Sequence, residues 1–290
     1  MITRRDLLKH SAVMAALLNT GLLSSSFSER KKKMLIGACD WSIGKSADVA
    51  AIELAKRIGL DGIQVNLGSE ENNLHLRQPA IQQAYLKASK KWNVKLASLA
   101  IGELNNVPYK SDPRTEQWVW DSIDVARALD VTVVLLAFFA KNDLRNDDAG
   151  KAEVVRRLKQ VAPKAEKSGV ILGIESYLSA EEHMDIIERV GSKNVKVYYD
   201  FRNATDAGYD VIKEIKWLGK DAICEIHMKE NGHLLGKGTL DWQKISDTLA
   251  EINYRGDGWM QIEWSSPKDA DIVESYKHNL QFLKKTFHYT

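Results

Sequence analysis

The stretch Ala165-Glu166-Lys167-Ser168-Gly169-Val170-Ile171-Leu172-Gly173-Ile174-Glu175 decides the fold. Its first part is polar and helix-forming, and Gly169 supplies the left-handed turn that ends a helix. From Val170 the chain is a continuous apolar run of strand length that finishes on a carboxylate. The same order recurs at Leu54-Ala55-Lys56-Arg57-Ile58-Gly59 before Gly62-Ile63-Gln64-Val65-Asn66. Working outward from this pair, apolar runs lie near residues 34–40, 62–67, 94–100, 131–138, 170–175, 195–200, 222–228 and 259–264. Their starts are roughly 25 to 40 residues apart, room for one strand, one helix and two loops per unit. Strands apolar throughout require cover on both faces, which is the signature of a parallel sheet. Eight such units predict closure into a single-domain (β/α)8 barrel of the α/β class over residues 29–290.

A doubly wound open sheet would alternate in the same way, but two observations argue against it. The first strand is followed by Cys39-Asp40-Trp41 where a dinucleotide fold would place Gly-x-Gly-x-x-Gly. No complete Gly-x-x-x-x-Gly-Lys-Ser/Thr phosphate loop occurs either. Nucleotide cofactors are not expected.

Composition agrees with one ordinary globular domain. Of 290 residues, 44% are hydrophobic and 28% charged, enough apolar material for a sizeable core. Residues 1–28 differ from the rest. Arg4-Arg5 and Lys9 precede the short apolar run Val13 to Leu18 and a Ser-rich exit, which reads as a twin-arginine export signal and implies a periplasmic or exported protein. The run is too short to span a bilayer, and no membrane span is expected in the mature chain. No Cys follows it, so a lipid anchor at the processing site is excluded. Removing Arg4, Arg5 and Lys9 against Asp6 lowers the formal charge from +2 to zero. Apart from Arg30-Lys31-Lys32-Lys33, read as a solvated tail, no basic stripe points to nucleic acid. Cys39 and Cys224 sit inside apolar runs on the first and seventh strands, which are not neighbours, so both are expected as buried free thiols.

In a barrel of this kind the chemistry lies at the carboxyl ends of the strands. Strands five to eight finish with Glu175, Asp200, His227 and Glu263. A single carboxylate there is often a loop residue or helix cap, but four such groups in succession are not. Three carboxylates brought together repel and lose hydration, so the cluster calls for a positive partner. Hard oxygen donors with one imidazole suit one divalent ion, Mn2+ first, with Mg2+, Co2+ or Zn2+ as alternatives. Four protein ligands leave two positions for the vicinal oxygens of a sugar.

These four residues resemble the metal ligands of the xylose-isomerase-like TIM-barrel sugar isomerases and epimerases, and the resemblance extends over roughly residues 34–285. The stretch Gly236-Lys237-Gly238-Thr239-Leu240-Asp241-Trp242 is similar to a Gly-x-Gly-x-x-x-Trp segment of that family; on its own it reads as a turn with Asp241 capping the next helix. The resemblance to the ketose 3-epimerases implies that Glu175 and Glu263 double as an acid/base pair. They would remove and return the proton alpha to a carbonyl, through a metal-stabilised enediolate, on a ketose or related polyol. It also implies a substrate contact at Glu181. Those epimerases carry a His and an Arg where Asn203 and His233 stand here, so the substrate contacts differ. Lys229 offers a cation beside the substrate, and Trp41 and Trp264 offer apolar walls for a sugar ring. His75, His183 and His278 read as surface or capping residues.

Three other readings compete. A metal-dependent lyase or hydrolase on a 3-keto-glycoside or inosose would use the same base to expel a beta leaving group. A non-catalytic sugar-binding barrel would keep the cluster as a staple. An apurinic endonuclease needs further imidazoles, where Asn66 and Ile101-Gly102 stand instead. The expected partner is a small carbohydrate, and a homo-oligomer is compatible with the sequence.

Overall fold

The computed structural model describes residues 34–287; the export segment assigned to residues 1–28 and the basic tail lie outside the described residues. Each expected strand forms: β1 Leu35–Cys39, β2 Gly62–Asn66, β3 Lys95–Ile101, β4 Val133–Phe138, β5 Ile171–Ser176, β6 Val195–Asp200, β7 Ile223–Lys229 and β8 Trp259–Glu263. Neighbours pair in sequence order, all parallel, and β1 closes the barrel on β8 through Leu35 opposite Trp259. The helices between them are α1 Ala50–Ile58, α2 Pro79–Trp92, α3 Arg114–Ala128, α4 Asp148–Ser168, α5 Ala180–Val190, α6 Phe201–Asp206, α7 Val211–Ala222, α8 Trp242–Glu251 and α9 Ile272–Thr286.

The helix-to-strand turn at Gly169 forms as its sequence predicts. Gly169 takes φ 67°, and its N–H reaches the carbonyls of Ala165 and Glu166, which ends α4 and turns the chain into β5. Asp241 accepts a hydrogen bond from the Lys244 backbone N–H and caps α8.

Strand periodicity sorts the side chains into two layers. Ile36, Val65, Leu99, Leu136, Ile174 and Ile262 belong to the main core between barrel and helices. Their neighbours point into the barrel, where a small apolar patch around Ala100, Leu135, Ala137 and Tyr198 meets a polar column. Two irregularities set that column. Between β2 and β3 the register jumps from Ile63/Leu96 to Gln64/Ser98, and between β6 and β7 from Val197/Ile223 to Tyr198/Glu225. Each inserts one residue and re-aims the side chains beyond it, a common use of a bulge beside an active site. Ser98 and Tyr198 thereby both donate to Glu225 Oε1 at 2.9 Å in the barrel interior. Cys39 and Cys224 are buried and free, as expected.

Candidate active site

The carboxyl ends of β5 to β8 bring Glu175, Asp200, His227 and Glu263 to one buried centre. One donor atom from each lies within 4.8 Å of the others. His227 Nδ1 is 3.0 Å from Glu175 Oε1, 3.7 Å from Glu263 Oε2 and 3.9 Å from Asp200 Oδ2. Asp200 Oδ2 and Glu263 Oε2 are buried and receive no hydrogen bond, with the Lys229 ammonium 3.4 and 2.8 Å away. Buried polar atoms normally find partners. Two such oxygens aimed at an imidazole nitrogen and a third carboxylate are a donor set that fits a divalent cation.

Each of these side chains is held from behind. Asp200 is the N-cap of α6: its Oδ1 accepts from the backbone N–H groups of Arg202 and Asn203 at 2.8 and 2.9 Å, which leaves Oδ2 for the centre. Asn203 Nδ2 donates to Glu175 Oε1 at 3.2 Å, while its Oδ1 accepts from Lys229 Nζ at the same distance. Trp41 Nε1–H donates to Glu263 Oε1 at 2.7 Å. His227 is oriented through its far nitrogen, whose N–H donates to Gln64 Oε1 at 3.0 Å. Cys39 Sγ donates to the same oxygen, and Gln64 Nε2 passes the chain on to Tyr198 OH at 3.1 Å.

The electrostatics follow from burial and from two cations. Burial raises the Glu175 carboxyl above its ordinary range despite His227 beside it, and raises Asp200 against the pull of Lys229. Burial also opposes ionisation of Glu263, but Lys229 and His227 outweigh it and hold this carboxyl low. For His227 burial favours the neutral ring, yet the charges of Glu175 and Glu263 prevail and lift it to about 9. By itself the chain balances its three carboxyls with an imidazolium and an ammonium.

Above the centre opens a cavity of about 620 Å³. Of the residues expected to touch substrate, Trp41, Asn203 and Lys229 line it. Glu181 and His233 do not. Glu181 is exposed near the start of α5, because that helix buries the face carrying Ala180, His183 and Ile186. His233 is exposed in the turn after β7, where Asn231 and Gly232 both take positive φ. His183 needs a second correction: it is buried, not superficial, and bridges the Ser179 carbonyl through Nδ1 and Ser176 Oγ through Nε2, each at 2.9 Å. His75 and His278 are half-buried and outside the cavity lining.

The structure adds residues that the sequence alone does not single out. Gln64 is the most telling, a polar side chain at an inward position of an apolar strand, and that alternation was the available signal. Phe139 and Tyr177 stack edge to face at 4.8 Å on the cavity wall. Trp264, by contrast, was expected as an apolar wall beside Glu263, and it lines the cavity in a left-handed conformation at φ 43°. A bulky residue there costs on the order of 1–3 kcal/mol and persists only where its surroundings enforce it. Gly232 N–H donates to the Trp264 carbonyl at 2.9 Å, and Asn279 holds the next carbonyl, that of Ser265.

Comparison with known proteins agrees with this architecture. The family model described as xylose isomerase-like TIM barrel matches residues 52–286. The chain is similar to the D-psicose 3-epimerase of Enterocloster bolteae, 31% identical over 133 residues, a match that spans 43% of either chain. It is similar at 26% identity over 200 residues to the 2-epi-5-epi-valiolone 7-phosphate 2-epimerase of an Actinoplanes species, covering 67% of this chain and 72% of that one. Among solved structures, D-psicose 3-epimerase from Clostridium cellulolyticum H10 with D-tagatose superposes at TM-score 0.74 with 19% identity, over 88% of this chain and 99% of its own. The 3-keto-D-glucoside 4-epimerase of Escherichia coli superposes at 0.71 with 14% identity, over 87% and 100%. At these identities the structural likeness is one of fold.

Proposed function

Since the chain belongs to the xylose isomerase-like TIM barrel family, we propose that it is a sugar isomerase or epimerase that moves the proton alpha to the carbonyl of a ketose or related polyhydroxy compound. The observation that carries this reading is the convergence of Glu175, Asp200, His227 and Glu263 beneath an open cavity, with two of the carboxylates held by different partners. Glu263, fixed by Trp41 and Lys229, and Glu175, fixed by His227 and Asn203, form the acid/base pair. The epimerase activities of the named relatives support the same reaction class.

In this reading Glu175, Asp200, His227 and Glu263 hold one divalent cation, Mn2+ in preference, which when bound polarises the substrate carbonyl. Lys229 stabilises negative charge at the same end of the substrate, and Trp41 shields the Glu263 carboxylate from water. We also place the mature protein outside the cytoplasm, on the strength of Arg4-Arg5 and the apolar run after them. Among the described residues no helix is long and apolar enough to cross a membrane.

Incubating Mn2+-loaded protein with free ketoses in deuterated water tests the reaction. Deuterium entering at the carbon next to the carbonyl, with a new epimer or aldose, is the expected result. Glu175→Gln and Glu263→Gln should each slow exchange by about 10²- to 10⁴-fold without unfolding the barrel. An elimination product in place of exchange would favour the lyase reading. Ligand binding without turnover, unaltered by either substitution, would leave a binding barrel.

A further inference from the structure

We propose that the cavity holds two sugar units, the carbonyl-bearing unit at the carboxylate centre and a second, uncharged ring in an outer subsite bounded by Trp264 and the loops after β2 and β3; this rests on the reading of the site as one for sugars.

Size is the first argument. A hexose occupies on the order of 180 Å³ if each of its twelve carbon and oxygen atoms takes about half of the ~30 Å³ of a liquid water. The cavity of about 620 Å³ is several times that. Its lining also runs the width of the barrel mouth. The centre stands on β5 to β8, whereas Glu71 and Asn72 follow β2 and Glu103 and Asn105 follow β3, strands that lie across the closed barrel from β6 and β7.

The chemistry of the far wall selects the occupant. Asn72 commits its side-chain oxygen to the backbone N–H groups of Ser69 and His75, and Asn105 commits its own to that of Phe139. The NH2 groups are the donors these amides have left, and Glu71 and Glu103 beside them are acceptors, Glu103 already accepting from the Glu70 backbone N–H and Asn106 Nδ2. A wall that gives and takes hydrogen bonds suits hydroxyl groups. It does not suit a phosphate: among the described residues lining the cavity Lys229 is the one cation, and it already faces Asp200 and Glu263.

Trp264 supplies the apolar face. The residue is 49% exposed, in a protein that buries most of its large apolar groups. The Gly232 N–H on its carbonyl, and Asn279 Nδ2 on the carbonyl of Ser265 after it, hold the backbone there in a conformation that tryptophan rarely adopts. An indole carried on a fixed backbone at the rim of a polar cavity, one residue from Glu263, is a stacking platform for the apolar face of a pyranose ring.

The test compares molecules that share one ketose end. D-Fructose, its 6-phosphate, and the disaccharides turanose, lactulose and isomaltulose, which carry a second ring on O3, O4 and O6 of fructose, are titrated calorimetrically into Mn2+-loaded protein. At least one disaccharide should bind about tenfold or more tighter than fructose, and the phosphate no tighter than fructose. Trp264→Ala should abolish the disaccharide advantage, and Trp264→Phe should restore most of it. Equal binding of one and two rings, equal weakening of both by Trp264→Ala, preference for the phosphate, or no binding by any of the five to folded, metal-loaded protein would each overturn the proposal. Deuterium exchange run on the same samples separates the two claims. Trp264-dependent disaccharide binding without exchange sinks the catalytic reading and leaves the subsite standing, and exchange on fructose without a disaccharide advantage does the reverse.

Discussion

Gln64 Oε1 accepts the Nε2–H of His227 at 3.0 Å across the barrel, from β2 to β7, and so turns Nδ1 toward the three carboxylates. Removing that acceptor by Gln64→Leu keeps the volume and frees the ring to rotate. Loss of such an outer partner lowers metal affinity by about 10- to 100-fold. Titration of Mn2+ into the metal-free variant should show this loss, with the barrel still folded. An unchanged affinity would mean that packing alone orients the ring.

Lys229 stands in for part of a cation's charge. Its ammonium lies 2.8 Å from Glu263 and 3.4 Å from Asp200, all three side chains being nearly inaccessible. Lys229→Met strands two buried carboxylates, and in metal-free protein this should cost about 3 to 5 kcal/mol. Mn2+ at a hundred times its Kd should add about 2.7 kcal/mol to the wild type by mass action. The variant should recover more than that, because the ion replaces the missing charge. Thermal melts with and without Mn2+ measure both, and a variant that melts like wild type without metal would refute the ion-pair account.

His183 makes the barrel sensitive to acid. Burial lowers its pKa from the ordinary 6.5 to about 4. Below 6.5 the unfolded chain takes up a proton that the folded chain refuses. Stability from this residue is therefore intact above pH 6.5 and is lost as pH falls toward 4, by up to about 3 kcal/mol. His183→Asn, which can still donate to the Ser179 carbonyl, should flatten that part of a stability-versus-pH curve measured by denaturant unfolding. An equally steep acid limb in the variant would place the sensitivity elsewhere.

The proposed export rests on two side chains, Arg4 and Arg5. Expressed as the full chain in a bacterium with a twin-arginine route, the wild type should reach the periplasmic fraction, and Arg4→Lys with Arg5→Lys should hold it in the cytoplasm. Equal partition of the two forms would remove the export reading and leave the barrel untouched.

The fold was legible because it is written locally. An amphipathic helix, a glycine such as Gly169 and an apolar strand are each readable within a few residues, and eight repetitions leave little freedom of topology. The four converging residues were legible for a related reason: strand ends are visible, and a barrel gathers them. Gln64 was not, because its partner is 163 positions away and only closure of the barrel brings the two together. The bulges that align Ser98 and Glu225 are single inserted residues with no signature of their own in the sequence. Glu181 and His233 show the opposite failure. Counting positions from Glu175 or His227 says nothing of the helix phase or loop path that decides which way a side chain faces, and in this chain both lead outward.

Asp200 serves two masters with its two oxygens, and the short helix after it inherits the consequence. Whatever pulls on Oδ2 also tugs, through one rigid carboxylate, on the amides of Arg202 and Asn203, and Asn203 in turn touches both Glu175 and Lys229. The first turn of α6 thus acts as a gauge wired to the heart of the barrel. Slower solvent exchange at those two amides would announce an arriving cation without any probe entering the cavity.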